Sequence, residues 1–186
     1  MSLAFPFRFV ASWLQRPRRV CFSLAAFSFG LLGFGLYLQH GLGLEPCPMC
    51  IMQRYLWLLL ALLALFGGMV WRDAPTARPA RRWPVWLLGA ALLGVSLGGA
   101  YVAARQSWLQ WHPPAFASCG RDFYGIVETF PLHQALPLIF RGSGDCSAID
   151  WTFLGGTIAN WSFVCFVSVT WVVLAMLRAQ RRLRAI

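Results

Sequence analysis

The sequence contains no lysine, although sixteen of its 186 residues are basic; every one of them is arginine. Acidic residues are scarce as well, six in all, and charged positions make up 12% of the chain. Soluble domains run at about 25% charged and about 45–50% apolar. Here 59% of residues are hydrophobic and the mean hydropathy is +0.60, which excludes an ordinary soluble domain. No G-x-G-x-x-G occurs, so the usual cradle for a soluble nicotinamide is missing. There is one C-x-x-C, at Cys47 and Cys50, whereas a zinc site with four thiolates needs two such knuckles; Cys119 and Cys146 lie 27 positions apart.

What is there is a set of four long apolar runs, at about 20–39, 51–71, 85–104 and 157–177. Roughly 20 apolar residues at about 1.5 Å rise cover the ~30 Å hydrocarbon core. The pattern predicts an all-α membrane protein: a single integral domain over 1–186, built as a four-transmembrane-helix bundle with short connections. Basic residues precede the first run. Its length, and the lack of an A-x-A-like site followed by a soluble domain, favour a retained helix over a signal peptide.

A net charge of +10 resembles a nucleic-acid footprint until its distribution is read. Arg8, Arg16, Arg18 and Arg19 precede the first run, Arg72, Arg78, Arg81 and Arg82 surround the middle loop, and Arg178, Arg181, Arg182 and Arg184 follow the last. With alternating helices all twelve share one side, which is the positive-inside bias. Both termini and the 72–84 loop are therefore expected in the cytoplasm. The loops at about 40–50 and 105–156 are expected outside, where Glu45, Asp122, Glu128, Asp145 and Asp150 fall.

The six cysteines divide under this topology. Cys21 and Cys165 lie inside apolar runs and read as small hydrophobes chosen for packing. Cys47, Cys50, Cys119 and Cys146 lie in the outward loops, where disulfides persist if the outside is a bacterial periplasm. They could be inert staples or redox-active pairs. C-x-x-C is a poor staple, because the loop it closes is too short to constrain the unfolded chain. Its usual value is chemical, through thiols of lowered pKa.

The stretch EPCPMCIMQR adds to that signal. Pro46 and Pro48 keep the approach non-helical, so the second helix is expected to begin near Cys50, with its positive dipole end at the thiol. Arg54 follows one turn deeper on the same face. An arginine there can snorkel to the interface. An ionisable residue within a span is otherwise a functional candidate, and a fixed cation favours negative charge developing beside it. An apolar carrier dissolved in the membrane, a quinone, suits such a position.

The second outward segment opens with Gln110–Gly120, which reads as an extended, proline-set arm that would offer Cys119 to a partner's groove. His112 reads as an interfacial polar residue. Phe123–Phe140, broken by Pro131 and Pro137, reads as short interfacial helical segments. Gly142-Ser143-Gly144 brings Cys146 back on a hinge, and Trp151 and Trp161 flank the last helix as interfacial anchors.

With these residues in view, the chain resembles the disulfide bond formation protein B (DsbB) family, quinone-linked membrane thiol oxidases of bacterial envelopes. The resemblance covers the four spans and Gln39-His40 followed by Pro46-Cys47-x-x-Cys50-x-x-x-Arg54. It continues through Pro-x-Phe-x-x-Cys ending at Cys119, Gly144-Asp145-Cys146 and Trp151-x-Phe153-Leu154-Gly155. Gln53 stands where a glutamate can occur and Gln106 near where some members place a histidine by the quinone; neither departure touches the four thiols or Arg54, and both bear on how the quinone is gripped and which type is used.

The resemblance implies an enzyme of the inner membrane, a quinone-dependent protein-disulfide oxidoreductase with catalytic Cys47, Cys50, Cys119 and Cys146. It implies disulfides Cys47–Cys50 and Cys119–Cys146, and a quinone held at Cys50 and Arg54, ubiquinone placed ahead of menaquinone. Electrons would come from a periplasmic DsbA-like thioredoxin-fold oxidase. Such an oxidant sits near about −120 mV, so a glutathione pool at about −200 mV could not reoxidise it, whereas a respiratory quinone could. Two alternatives stand beside this: an enzyme like vitamin K epoxide reductase, and a membrane scaffold whose disulfides are structural.

Overall fold

The computed structural model describes residues 13–71, 82–113 and 146–185. The expected arm around Cys119 and the segments over Phe123–Phe140 lie outside the described residues. Four long helices account for most of what is described: α1 (Pro17–Gly41), α2 (Pro48–Val70), α3 (Arg82–Trp111) and α4 (Ile158–Ala185). All four are long and apolar enough to cross a membrane. Within their most apolar windows only 28–39% of residues are buried in the protein, although mean hydropathy there is 1.8–1.9. Side chains such as Phe29, Leu62, Phe66, Leu97 and Trp171 are exposed. Apolar surface facing outward on this scale fits lipid as the solvent.

Local chemistry sets the helix ends. Pro17 and Pro48 each stand in the first turn of their helix, where a missing N–H costs nothing. α1 ends where Gly43 takes φ +69 and the Leu44 N–H returns to the Leu38 carbonyl at 3.3 Å. Thr157 caps α4, its hydroxyl accepting from the Asn160 N–H at 3.3 Å. Just before it, β1 (Thr152–Phe153) and β2 (Gly156–Thr157) form a two-residue antiparallel ladder. Leu154 and Gly155 turn between them with φ 49 and 77, the pair of positive values a type I′ turn demands.

These helices differ from the expected spans in extent. α1 begins at Pro17 and α2 at Pro48, each slightly earlier than expected, and α4 continues through its arginines to Ala185. The largest difference is at α3, which runs on to Trp111 rather than stopping near residue 104. The extended arm therefore cannot begin at Gln110, which is helical. Arg105-Gln106-Ser107 reads as a polar boundary, but all three residues tolerate a helix, and nothing interrupts the backbone bonds before Pro113.

α1 packs along α2, α3 along α4, and α2 against α3, whereas α1 and α4 touch at few points. The dry core joins Val20 and Cys21 of α1, Leu60 and Ala64 of α2, Leu92 of α3 and Val173 of α4. Small residues let helices close up. A Cβ on Gly99 would stand 2.2 Å from the Phe166 ring, so that glycine is what seats Phe166. Phe166 in turn stacks on Trp57 of α2 with centroids 3.9 Å apart. The hydroxyls of Ser96 and Thr170 meet at 2.9 Å between α3 and α4.

Candidate active site

The N-terminal end of α2 is built around sulfur. Cys47 is its N-cap, in extended conformation, and its sulfur accepts from the Cys50 N–H at 3.3 Å. Pro46 and Pro48 restrict the backbone on either side, and the helix starts at Pro48, earlier than the expected position near Cys50. One helical turn then carries Cys50 back over the cap, and the two sulfurs meet at 2.8 Å.

A third cysteine joins them from a distant part of the chain. Cys146 is fully buried, although Ala148, Ile149 and Asp150 just after it are exposed. Its thiol engages Cys47, and this bond is the first cause holding the Cys47 pKa well above the usual thiol value; bonding to Cys50 and burial follow. Three of the four cysteines singled out from sequence thus converge, and Cys119 lies outside the described residues.

Gln106 of α3 is the polar group that faces this cluster. Its amide nitrogen lies 3.3 Å from the Cys47 sulfur and 3.1 Å from the Cys50 sulfur, so one NH₂ can address both. Its carbonyl oxygen accepts from Gln53 Nε2 at 2.7 Å, which fixes the donating end toward the sulfurs. Both glutamines are buried. This corrects the expectation for Gln106, which meets two of the thiols; Gln53 reaches them only through it. Gln106 is 56 positions from Cys50; the sequence marks it as a polar side chain at the edge of an apolar run and, by resemblance, near a position where a histidine can stand.

Arg54 does not bind Cys50. Its guanidinium donates to the Gln39 side-chain oxygen and, at 3.0 Å, to the Gly35 carbonyl, both on α1. It thereby ties α2 to α1 and presents its charge to a cavity of about 400 Å³. Cys47, Cys50 and Arg54 stand on the wall of that cavity with Phe34, Trp57 and Trp151. The volume falls in the usual range for small-molecule sites, about 300–1,000 Å³ with mostly apolar walls and a few polar groups. Cys165, expected to serve packing alone, is half-buried and stands on the same wall. Cys21 is in the core, its sulfur 3.1 Å from where a Cβ on Gly67 would stand.

On the cavity wall, Trp151 meets Phe34 edge-on at 5.9 Å and stacks against Phe153 at 6.0 Å. The Trp161 indole donates to the Phe153 carbonyl at 2.9 Å. The two tryptophans expected as anchors therefore hold the β1–β2 hairpin over the start of α4.

The family model described as "Disulfide bond formation protein DsbB" matches residues 17–176. The disulfide bond formation protein B of Paracidovorax citrulli (strain AAC00-1) is 56% identical over 178 residues, 94% of this chain and 96% of that protein. That of Albidiferax ferrireducens is 54% identical over 180 residues, 95% of this chain and 98% of its own length. A more distant one, from Azoarcus sp. (strain BH72), is 48% identical over 170 residues.

Proposed function

The chain belongs to the DsbB family of disulfide bond formation proteins, and we propose that it reoxidises a periplasmic DsbA-like dithiol oxidase and delivers the electrons to a membrane quinone. The observation that carries this reading is the meeting of Cys47, Cys50 and Cys146 on the wall of an apolar cavity that also holds Arg54. A structural staple has no use for a third thiol at the pair, or for a carboxamide aimed at both of its sulfurs.

In the working cycle the partner's thiolate attacks the Cys119–Cys146 disulfide at Cys119, forming a mixed disulfide and releasing Cys146. Cys146 attacks Cys47; a Cys47–Cys146 bond forms, the Cys47–Cys50 bond breaks, and its electron pair leaves on Cys50. The partner's second thiol then resolves the mixed disulfide and frees Cys119; Cys119 attacks Cys146, which restores Cys119–Cys146 and releases Cys47, and Cys47–Cys50 re-forms as its two electrons and two protons leave. A quinone bound in the cavity supplies the sink for two electrons and two protons. Phe34 and Trp57 would flank it, and Arg54 would face negative charge developing on it. Gln106 stabilises the charge that appears at Cys50 when the bond opens. Orientation follows the arginine bias, with both termini cytoplasmic and the thiols periplasmic.

The test is quinone reduction by the purified protein in detergent, driven by a reduced DsbA-like partner. Turnover that disappears in Cys50→Ala supports the reading. Folded protein that reduces no quinone with any such partner, and forms no mixed disulfide through Cys119, would instead be a scaffold.

A further inference from the structure

Gln110 stands one turn beyond Gln106 on α3, on the same face. Where Gln106 addresses the α2 sulfurs, Gln110 addresses the segment that carries Cys146. Its amide nitrogen donates to the Ala148 carbonyl at 3.3 Å, and its carbonyl oxygen accepts from the Thr157 hydroxyl at 2.7 Å. Thr157 also accepts from the Asn160 N–H, so its own proton is directed toward Gln110. One carboxamide therefore joins three pieces of chain: the end of α3, the stretch two residues past Cys146, and the cap of α4. Residues 148–150 are exposed and belong to no helix or strand, yet Cys146 is fully buried against Cys47.

We propose that Gln110 and Thr157 form a polar latch that positions Cys146 against Cys47, and so set the rate and equilibrium of exchange between the two loops. The inference rests on the exchange step of the proposed cycle. Gln110 touches none of the reacting sulfurs and is a positioning residue. The step it serves is a plain thiol–disulfide exchange: Cys146 gains a bond to Cys47, Cys50 is released as thiolate, and no net oxidation occurs. Its ease depends on the effective concentration of one sulfur at the other, which a tether with fixed ends raises without adding any contact to the sulfur itself.

The experiment measures that effective concentration in the full-length protein. In a Cys50→Ser, Cys119→Ser background, Cys47 and Cys146 equilibrate with glutathione: two protein thiols and one glutathione disulfide give the Cys47–Cys146 bond and two glutathiones. Peptide mass spectrometry reads the bond. Gln110→Ala and Thr157→Val are each expected to lower the equilibrium constant about fivefold or more, the factor that follows from losing one or two hydrogen bonds. Thr157→Ser, which keeps the hydroxyl, restores it.

The same substitutions are then measured on the Cys47–Cys50 pair in a Cys119→Ser, Cys146→Ser background, where the constant stays put. An unchanged Cys47–Cys146 constant in Gln110→Ala overturns the latch, and so does an equal fall in both pairs, which would mean general loosening. If, with Gln110 intact, the second background forms Cys47–Cys50 but the first never forms Cys47–Cys146, the exchange step itself fails, and the latch with it.

Discussion

Cys21 and Cys47 are almost equally buried, at 0% and 4% exposure, yet they inhabit opposite kinds of interior. Cys21 sits in a dry cluster with Val20, Leu24 and Leu88, pressed against Gly67, where its sulfur acts as a small apolar volume. Cys47 caps a helix and is met by Cys50, Cys146 and the amide of Gln106. Depth does not separate an inert thiol from a reactive one. A second and a third sulfur within reach mark the site instead, and among the described residues Cys47, Cys50 and Cys146 meet at one end of α2.

The sharpest break of this contrast is a matched pair of substitutions. Cys47→Ala should abolish turnover with a reduced DsbA-like partner. Cys21→Ala should leave turnover intact and cost about 1 kcal/mol of stability through a small void. Loss of quinone reduction in folded Cys21→Ala would erase the distinction.

Next in size is Gln106→Leu, which removes the donor to both sulfurs. Quinone reduction should slow about ten- to a hundredfold, the value of a hydrogen bond to a charged group. Gln53 is left with a buried, unpaired amide, so stability falls too. The double variant Gln53→Leu/Gln106→Leu should recover stability without recovering rate, as read by thermal unfolding and steady-state kinetics.

Gly99→Ala probes the dry side, because its Cβ would overlap the Phe166 ring. A loss of about 1–3 kcal/mol is expected on unfolding. Gly99→Ala/Phe166→Leu should return most of it. Equal losses in both would mean that the Phe166 seat is not what the glycine protects.

The smallest effect is one of pH. With its pKa raised, Cys47 stays a neutral thiol at pH values where an ordinary thiol, near about 8.5, has ionised. Alkylation of Cys47 in the reduced protein should therefore stay slow past that point. In Cys146→Ala, which removes the first cause of the shift, the rise in alkylation should move to lower pH.

Hydropathy alone placed the four helices, because in lipid an apolar run of that length has no other way to satisfy its backbone. It misplaced the end of α3, where the informative residue was Pro113 and not the polar Arg105-Gln106-Ser107. At the site, the C-x-x-C, with Pro46 and Pro48 on either side of its first cysteine, was legible as a helix start, and Arg54 as a charge beside it. The arginine's bonds to Gly35 and Gln39 were not, since they depend on how α1 lies against α2. The groups that Gln106 and Gln110 meet were illegible for the same reason. Their partners are 38 to 59 positions away, and a glutamine looks alike in a sequence whether it faces water or sulfur.

α1 and α4 touch at few points, and the cavity draws its walls from both. The two walls are thus joined through three packing seams in series, α1 on α2, α2 on α3 and α3 on α4. Small displacements at each seam add, so the width of the chamber answers to substitutions far from its lining.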